Sequence, residues 1–309
     1  MTAKNTLFTR LAYITAVLTV GLIVFGAIVR VTDSGLGCGN DWPFCNGTIF
    51  PPLDNITAWV EWMHRLFALL IGVLGMVMLV IAVRRFRTEN RLVLMTTILA
   101  AVLYVVQSLL GALTVMFDLP PTIVTLHLST AMLLLAALLA AGIFASHKPQ
   151  SLYVPDQTTG LIYTTAILSL VIIVTGALVR GSGATLACID WPLCNGQIWP
   201  SGQGQLAIIH MIHRVAVLAL GISLVLLVWF VQRDRQNRIV RQLAWYSLVG
   251  YSLQAAVGAL YVWNTAAPLW GALHVGFASV TWALLVTLSL FEWLNSQSES
   301  VNQMVNETS

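Results

Sequence analysis

Apolar residues fall into eight long runs along this chain, at about 9–31, 57–83, 92–117, 121–146, 159–181, 206–231, 240–263 and 268–293. A helix needs roughly 20 apolar residues to cross the hydrocarbon of a bilayer, and each run is long enough. The pattern predicts an all-α integral membrane protein with eight transmembrane helices. Polar positions gather in the connections, above all at about 32–56 and 182–205. A polar stretch from about His147 to Thr159 carries Pro149 and Pro155 and divides the chain into two sets of four runs.

Composition agrees with the pattern. The 309 residues are 58% hydrophobic and 9% charged, against about 25% charged in soluble domains. The net charge of +3 says little about partners, and no nucleic acid is expected, but its distribution sets a topology. Arg84, Arg85, Arg87 and Arg91 lie between runs two and three, Lys148 between four and five, and Arg233, Arg235, Arg238 and Arg241 between six and seven. Lys4 and Arg10 sit at the start. Basic connections stay cytoplasmic, so both termini are expected inside and the loops near 32–56, 118–120, 182–205 and 264–267 outside. The first run is too long for a cleaved signal peptide and no A-x-A site follows it, so it reads as a retained anchor. No Arg- and Ser-rich presequence precedes it, which favours a bacterial plasma membrane. Trp42, Trp59, Trp62, Trp191, Trp199, Trp263 and Trp270 lie near the outer surface and fit an interfacial belt, although some could wall a large planar ligand.

The two sets of runs are copies. Gly26-Ala27-Ile28-Val29-Arg30 returns as Gly176-Ala177-Leu178-Val179-Arg180, and Trp42-Pro43-Phe44-Cys45-Asn46-Gly47 as Trp191-Pro192-Leu193-Cys194-Asn195-Gly196. Gln107-Ser108-Leu109-Leu110-Gly111-Ala112-Leu113 returns as Gln254-Ala255-Ala256-Val257-Gly258-Ala259-Leu260, and Glu61-Trp62-Met63-His64-Arg65 as His210-Met211-Ile212-His213-Arg214. The offset stays between 147 and 150. Four runs per copy bring both copies into the membrane the same way round, a parallel repeat. Two pseudo-symmetric four-helix bundles are expected, one from residues 1–150 and one from 151–309.

Each copy carries chemistry. His64 lies about seven residues into run two and His127 about six into run four, so both sit roughly 10 Å below the outer surface at 1.5 Å per residue. His213 and His274 repeat the arithmetic. Two imidazoles at one depth on facing helices are the arrangement that grips a haem iron from both sides. The bland alternative is four hydrogen-bonded interhelical links. Zinc or copper fits less well, because neither half offers a complete ligand set at that depth. His147, at the other end of run four, is given no function.

Glu61 lies three residues before His64, on the same helix face. Beside a haem edge it could accept protons or stabilise developing positive charge. Alternatively it is a surface carboxylate favoured by the helix dipole. His210 holds the matching place and cannot supply a permanent negative charge, so the first half is expected to do chemistry that the second does not. Arg65, Arg214, Arg30 and Arg180 either pair with haem propionates through a guanidinium fork or snorkel to headgroups. All four cysteines lie in outer loops, where disulfides persist. Local bridges Cys38–Cys45 and Cys188–Cys194 are the economical pairing, either as staples or as redox-active couples.

These motifs together resemble the haem A synthase family, over about Leu11 to Glu292. The resemblance rests on GAxVR, the paired-cysteine loop, ExxHR, the second histidine, and the same set again. It implies an oxidoreductase that converts a methyl group of haem O to a formyl group through a hydroxymethyl intermediate. It implies a permanent haem b in the second half, ligated by His213 and His274. It also implies a substrate haem O site in the first, with His64, His127 and the essential carboxylate Glu61. Haem O would come from the farnesyltransferase that forms it, surrounding lipid or a groove between helices would accommodate the farnesyl tail, and an electron acceptor of unknown identity would complete the reaction. A dihaem cytochrome b oxidising a quinol, a thiol–quinone oxidoreductase and a transporter with parallel repeats are the rival readings.

Overall fold

A computed structural model describes residues 3–148 and 153–307, with side chains over 6–148 and 153–296; Pro149 and the side chain of Lys4 lie outside these. Eight long helices follow one another: α1 Ala3–Val31, α2 Ile56–Glu89, α3 Arg91–Met116, α4 Pro121–Ser146, α5 Gln157–Gly181, α6 Gln205–Asp234, α7 Arg238–Trp263 and α8 Pro268–Glu307. A single 3-10 turn, Ala184–Leu186, interrupts one loop, and the described residues contain no strand. The helices start where expected to within a residue or two, except α1, which begins six residues early. Three end well beyond the apolar runs. α2 continues past Arg84 to Glu89, because hydropathy marks where the chain leaves hydrocarbon and not where the backbone stops coiling. Asn90 makes that stop: its N–H caps Phe86 O, and its side chain then accepts from the Leu92 and Val93 amides to begin α3.

Among the described residues seven helices are long and apolar enough to cross a membrane, so the chain is a multi-pass membrane protein. α7 has the length, at 26 residues, but Tyr246, Ser247, Tyr251, Ser252 and Gln254 dilute its apolarity. It lies between α6 and α8, touching both. α1 packs on α2 and α4, and α3 on α2 and α4; α5 packs on α6 and α8, and α7 on α6 and α8. The seam between the two groups is made by α1 on α8 and by α4 on α5 and α8. Across it Trp282 Nε1 donates to Met132 O at 2.9 Å.

Packing differs between the two ends. At the end that carries the termini, Phe8, Met78, Phe86, Met132, Leu135, Ile143, Leu224, Leu227, Leu285 and Leu288 are fully buried in one core. There Arg235, just past α6, gathers the second half. Its guanidinium donates to Asp156 Oδ1 at 2.7 Å and to Glu292 Oε1 at 2.6 Å. Glu292 also receives Tyr153 and Thr159 hydroxyls at 2.5 and 2.6 Å. Arg235 and Glu292 are almost wholly buried, which is tolerable because nearly every polar atom is paired. Asp156 at the same time caps α5 through a reciprocal box with Thr159. Hydrogen bonds from Arg235 hold the Asp156 carboxyl well below its usual 3.8. Burial pulls the Arg235 guanidinium down, but hydrogen bonds to Asp156 and Glu292 outweigh it and hold it above its ordinary value. The opposite end carries the cysteine loops and opens into a cavity.

Candidate functional site

The cavity has a volume of about 1220 Å³ and takes wall residues from all eight long helices. That exceeds the roughly 300–1,000 Å³ of a single small-molecule site. His64, His127, His213 and His274 all line it. His64 lies within electrostatic range of His127, and His213 within range of His274. Among the described residues no group of three or more His, Cys, Asp or Glu could hold a bare metal ion.

Each imidazole is seated against a glycine of the preceding helix. A Cβ built on Gly26 would lie 3.1 Å from His64 Cε1, one on Gly111 3.1 Å from His127 Cε1, one on Gly176 3.1 Å from His213 Cε1, and one on Gly258 2.9 Å from His274 Cε1. These are the glycines of the repeated Gly-Ala motifs. A side chain at any of the four would push the ring from its position, so hydrogen at Cα is what lets the imidazole enter between the helices. In sequence these glycines mark the duplication; only the helix pairing reveals them as ring seats. A second repeated device clamps the helices beneath. Tyr104 donates its hydroxyl to Ala68 O over Gly72, and Tyr251 to Val217 O over Gly221.

The four rings are held differently. His213 Nδ1 lies 3.0 Å from Thr175 Oγ1, and His274 Nδ1 lies 3.0 Å from Gln254 O. A carbonyl can only accept, so Nδ1 of His274 carries the proton and Nε2 presents its lone pair to the cavity. His127 Nε2 faces the Gln107 amide nitrogen at 3.2 Å; an amide can only donate there, so that Nε2 is likewise the lone-pair nitrogen. His64 Nδ1 is buried with no hydrogen-bond partner, and Phe25 lies against its ring with centroids 6.0 Å apart. Gln107 and Gln254 belong to a repeated motif whose contact with the histidines the sequence does not announce.

Glu61 is not a surface carboxylate. It is 3% exposed, lines the cavity, and accepts the Cys38 N–H at 2.9 Å while pairing with Arg65. Arg65 also donates to the Asp41, Pro43 and Phe44 carbonyls, the last at 2.8 Å. Arg214 donates in the same way to Asp190 O at 2.8 Å, to Leu193 O and to Cys188 O at 3.2 Å. Both arginines therefore hold a loop down over the cavity rim. The loops are closed by disulfides Cys38–Cys45 and Cys188–Cys194. In the second loop burial costs the Asp190 carboxyl a little, but the Gly196 and Asn195 amides hold it below its ordinary range. His210, at the place of Glu61, is buried and lines the same cavity.

Arg30 and Arg180 are the contrast. Both line the cavity, each in the other's electrostatic field, and the Nε of each is buried without a partner. Trp42, Trp62 and Trp191 reach the cavity wall, while Trp59 and Trp62 also bond their indole N–H groups to Pro52 O and Ile49 O. The other tryptophans of the expected belt do not line it. Paired imidazoles, seats that a Cβ would fill, apolar walls and two unpartnered guanidiniums are the features a haem with its propionates requires, with the Gln107 amide giving up His127 Nε2 when iron binds there.

Comparison with known proteins agrees. The family described as Cytochrome oxidase assembly protein (COX15-CtaA) matches residues 9–286. A protein of Shouchella clausii named Heme A synthase is 33% identical over 285 residues, covering 89% of this chain and 94% of its own. One of the same name from Symbiobacterium thermophilum is 33% identical, covering 85% and 88%. Another, from an Exiguobacterium species, is 28% identical over 96% of this chain and 98% of its own.

Proposed function

The chain belongs to the COX15-CtaA cytochrome oxidase assembly family, and from that premise we propose that it is a haem A synthase, an enzyme of haem A biosynthesis. In this reading the chain is a duplicated pair of four-helix bundles with eight crossings and both termini in the cytoplasm. It lies in a bacterial plasma membrane with its cysteine loops on the outer face. Residues 1–150 take haem O as substrate between His64 and His127, and residues 151–309 hold haem b between His213 and His274. The single observation that carries it is one cavity lined by four glycine-seated imidazoles and, from one half alone, a carboxylate, Glu61.

The reaction takes a methyl group to a hydroxymethyl group and then to a gem-diol, which loses water to leave the formyl group. Each of the two oxidations breaks one C–H bond, forms one C–O bond with the oxygen of a water molecule, and releases two electrons and two protons. Resident haem b, when bound, supplies a one-electron relay between the reacting half and an acceptor beyond the protein. The chain's own residues do the rest. Glu61 puts fixed negative charge on the wall of the reacting half, where positive charge on the carbon being oxidised is stabilised. It also stands ready to take the proton released. Arg65 holds that carboxylate in place and, with the disulfide loop, roofs the cavity against water. Arg30 and Arg180, free of protein partners, accept propionates from the two sides. Arg65 and Arg214 can contribute there only in part, since loop carbonyls already occupy most of their donors. Haem O arrives from the farnesyltransferase that makes it, and its farnesyl tail lies against lipid.

The test is pigment extraction. The chain is expressed with a haem O source and the extracted haems are identified by mass. Haem A or its hydroxymethyl precursor is expected. Haem b alone would replace this reading with that of a dihaem electron-transfer cytochrome.

A further inference from the structure

The two halves must treat their haems in opposite ways if one is a cofactor and the other a substrate. A cofactor has to stay through every turnover; a product has to leave. The position before the first seat glycine is one at which they differ. Thr175 immediately precedes the seat glycine Gly176, and the residue that precedes Gly26 in the first half is Phe25. The Thr175 hydroxyl donates to Ile172 O at 2.9 Å, one turn back in α5. With its proton committed there, Oγ1 can only accept at its other contact, His213 Nδ1 at 3.0 Å. The chain of bonds therefore runs from His213 Nδ1–H to Thr175 Oγ1–H to the Ile172 carbonyl. It fixes one tautomer and one ring plane, and leaves Nε2 with its lone pair facing the cavity.

Phe25 offers His64 nothing of the kind. Its ring lies tilted 55° to the imidazole and packs on Phe67, centroids 5.8 Å apart. The Nδ1 of His64 stays buried and unbonded, so neither its tautomer nor its donor strength is set by the protein. Hydrogen bonds to the far nitrogen of a ligating histidine orient the ring and raise its basicity, and losing one costs about 10–100-fold in metal affinity.

We propose that Thr175 is a positioning residue that locks His213 for permanent haem retention, and that Phe25 at the matching position leaves His64 unlocked so that the first half releases its haem. This rests on the assignment of haem b to His213 and His274. The two sites then share a scaffold, and this one side chain contributes to their difference in residence time.

The experiment uses the full chain purified in detergent and measures three things: haem b per protein, the rate of haem b transfer to apomyoglobin, and the haem b reduction potential. The variants are Thr175→Val, Thr175→Ser and His213→Ala. Thr175→Val keeps the shape and removes the hydroxyl. It is expected to speed haem b loss about 10-fold or more and to move the potential upward, because a less basic imidazole stabilises ferric iron less. Thr175→Ser restores both values. Unchanged loss rate and potential in Thr175→Val, with haem b absent from His213→Ala, would overturn the proposal and leave the site assignment standing. Haem b retained at full level in His213→Ala would overturn both. In the other half, Phe25→Thr is expected to raise the share of haem A that co-purifies with the chain; no rise would overturn the role given to Phe25.

Discussion

Gly258→Ala is the sharpest perturbation of the proposed haem seat. The added Cβ would lie 2.9 Å from His274 Cε1 and 3.2 Å from its Nδ1. Ordinary carbon contacts begin near 3.5 Å, so the ring must retreat by about 0.6 Å. It cannot do so freely, because Nδ1 is bonded to Gln254 O at 3.0 Å. A retreat of that size carries the bond past the roughly 3.2 Å limit of good geometry and forfeits about 1 kcal/mol. Overpacking adds about 1–3 kcal/mol, and the better helix propensity of alanine returns about 1 kcal/mol. The fold therefore loses only about 1–3 kcal/mol. The ligand geometry suffers more, since a site tolerates about 0.5 Å of misplacement. Haem b content is expected to fall about 10-fold or more while the helices remain formed. The assay is extracted haem per protein alongside a thermal melt in detergent. Gly75→Ala is the control, because a Cβ there meets nothing within 4 Å. Full haem b and an unchanged absorption spectrum in Gly258→Ala would refute the seat.

Four other outcomes are expected. Glu61→Gln keeps the Cys38 contact but removes the charge opposite Arg65, so haem b stays bound and haem A production, read by mass, falls at least 10-fold; wild-type turnover would end the catalytic role of Glu61. Arg235→Met strands the buried Glu292 and should cost about 3–5 kcal/mol, measured as a lower unfolding midpoint, with the outer-end haem spectrum of the folded fraction unaltered. The Asp156 carboxyl is held below 3.8 in the folded chain, so its contribution is complete above pH 3.8 and is lost as pH falls through the lower folded value; acid melts of the wild type should show this loss and those of Asp156→Asn should not. Cys188→Ser with Cys194→Ser opens a small covalent loop and should cost about 2–3 kcal/mol, seen in the melt, with haem A output retained if that bridge is a staple.

Much of the site was legible before any coordinates. The four histidines, Glu61 and the cysteine pairs each carry a residue type too costly to place by accident in or beside hydrocarbon, and the repeat ties them together at one offset. What escaped was how those residues are held. Arg65 and Arg214 were natural candidates for propionates, yet their donors close on loop carbonyls, whereas Arg30 and Arg180 point unpartnered into the cavity. Arg235 looked like one more cytoplasmic charge, and its burial against Glu292 depends on a contact 57 residues away in the chain.

The division has a physical cause. The spans follow from the free energy of moving local segments between water and lipid, which is additive along the chain, and the likeness of the halves from motifs that recur at one offset. Sequence alone therefore determined a membrane protein of two like halves with a histidine pair in each. Rotation of each helix about its axis is a different matter. In water an apolar stripe marks the inward face, but lipid is as apolar as the protein core and puts no such stripe on a spanning helix. Which glycine receives which ring, and that Thr175 and Phe25 meet the imidazoles of His213 and His64, was decided only when the helices packed.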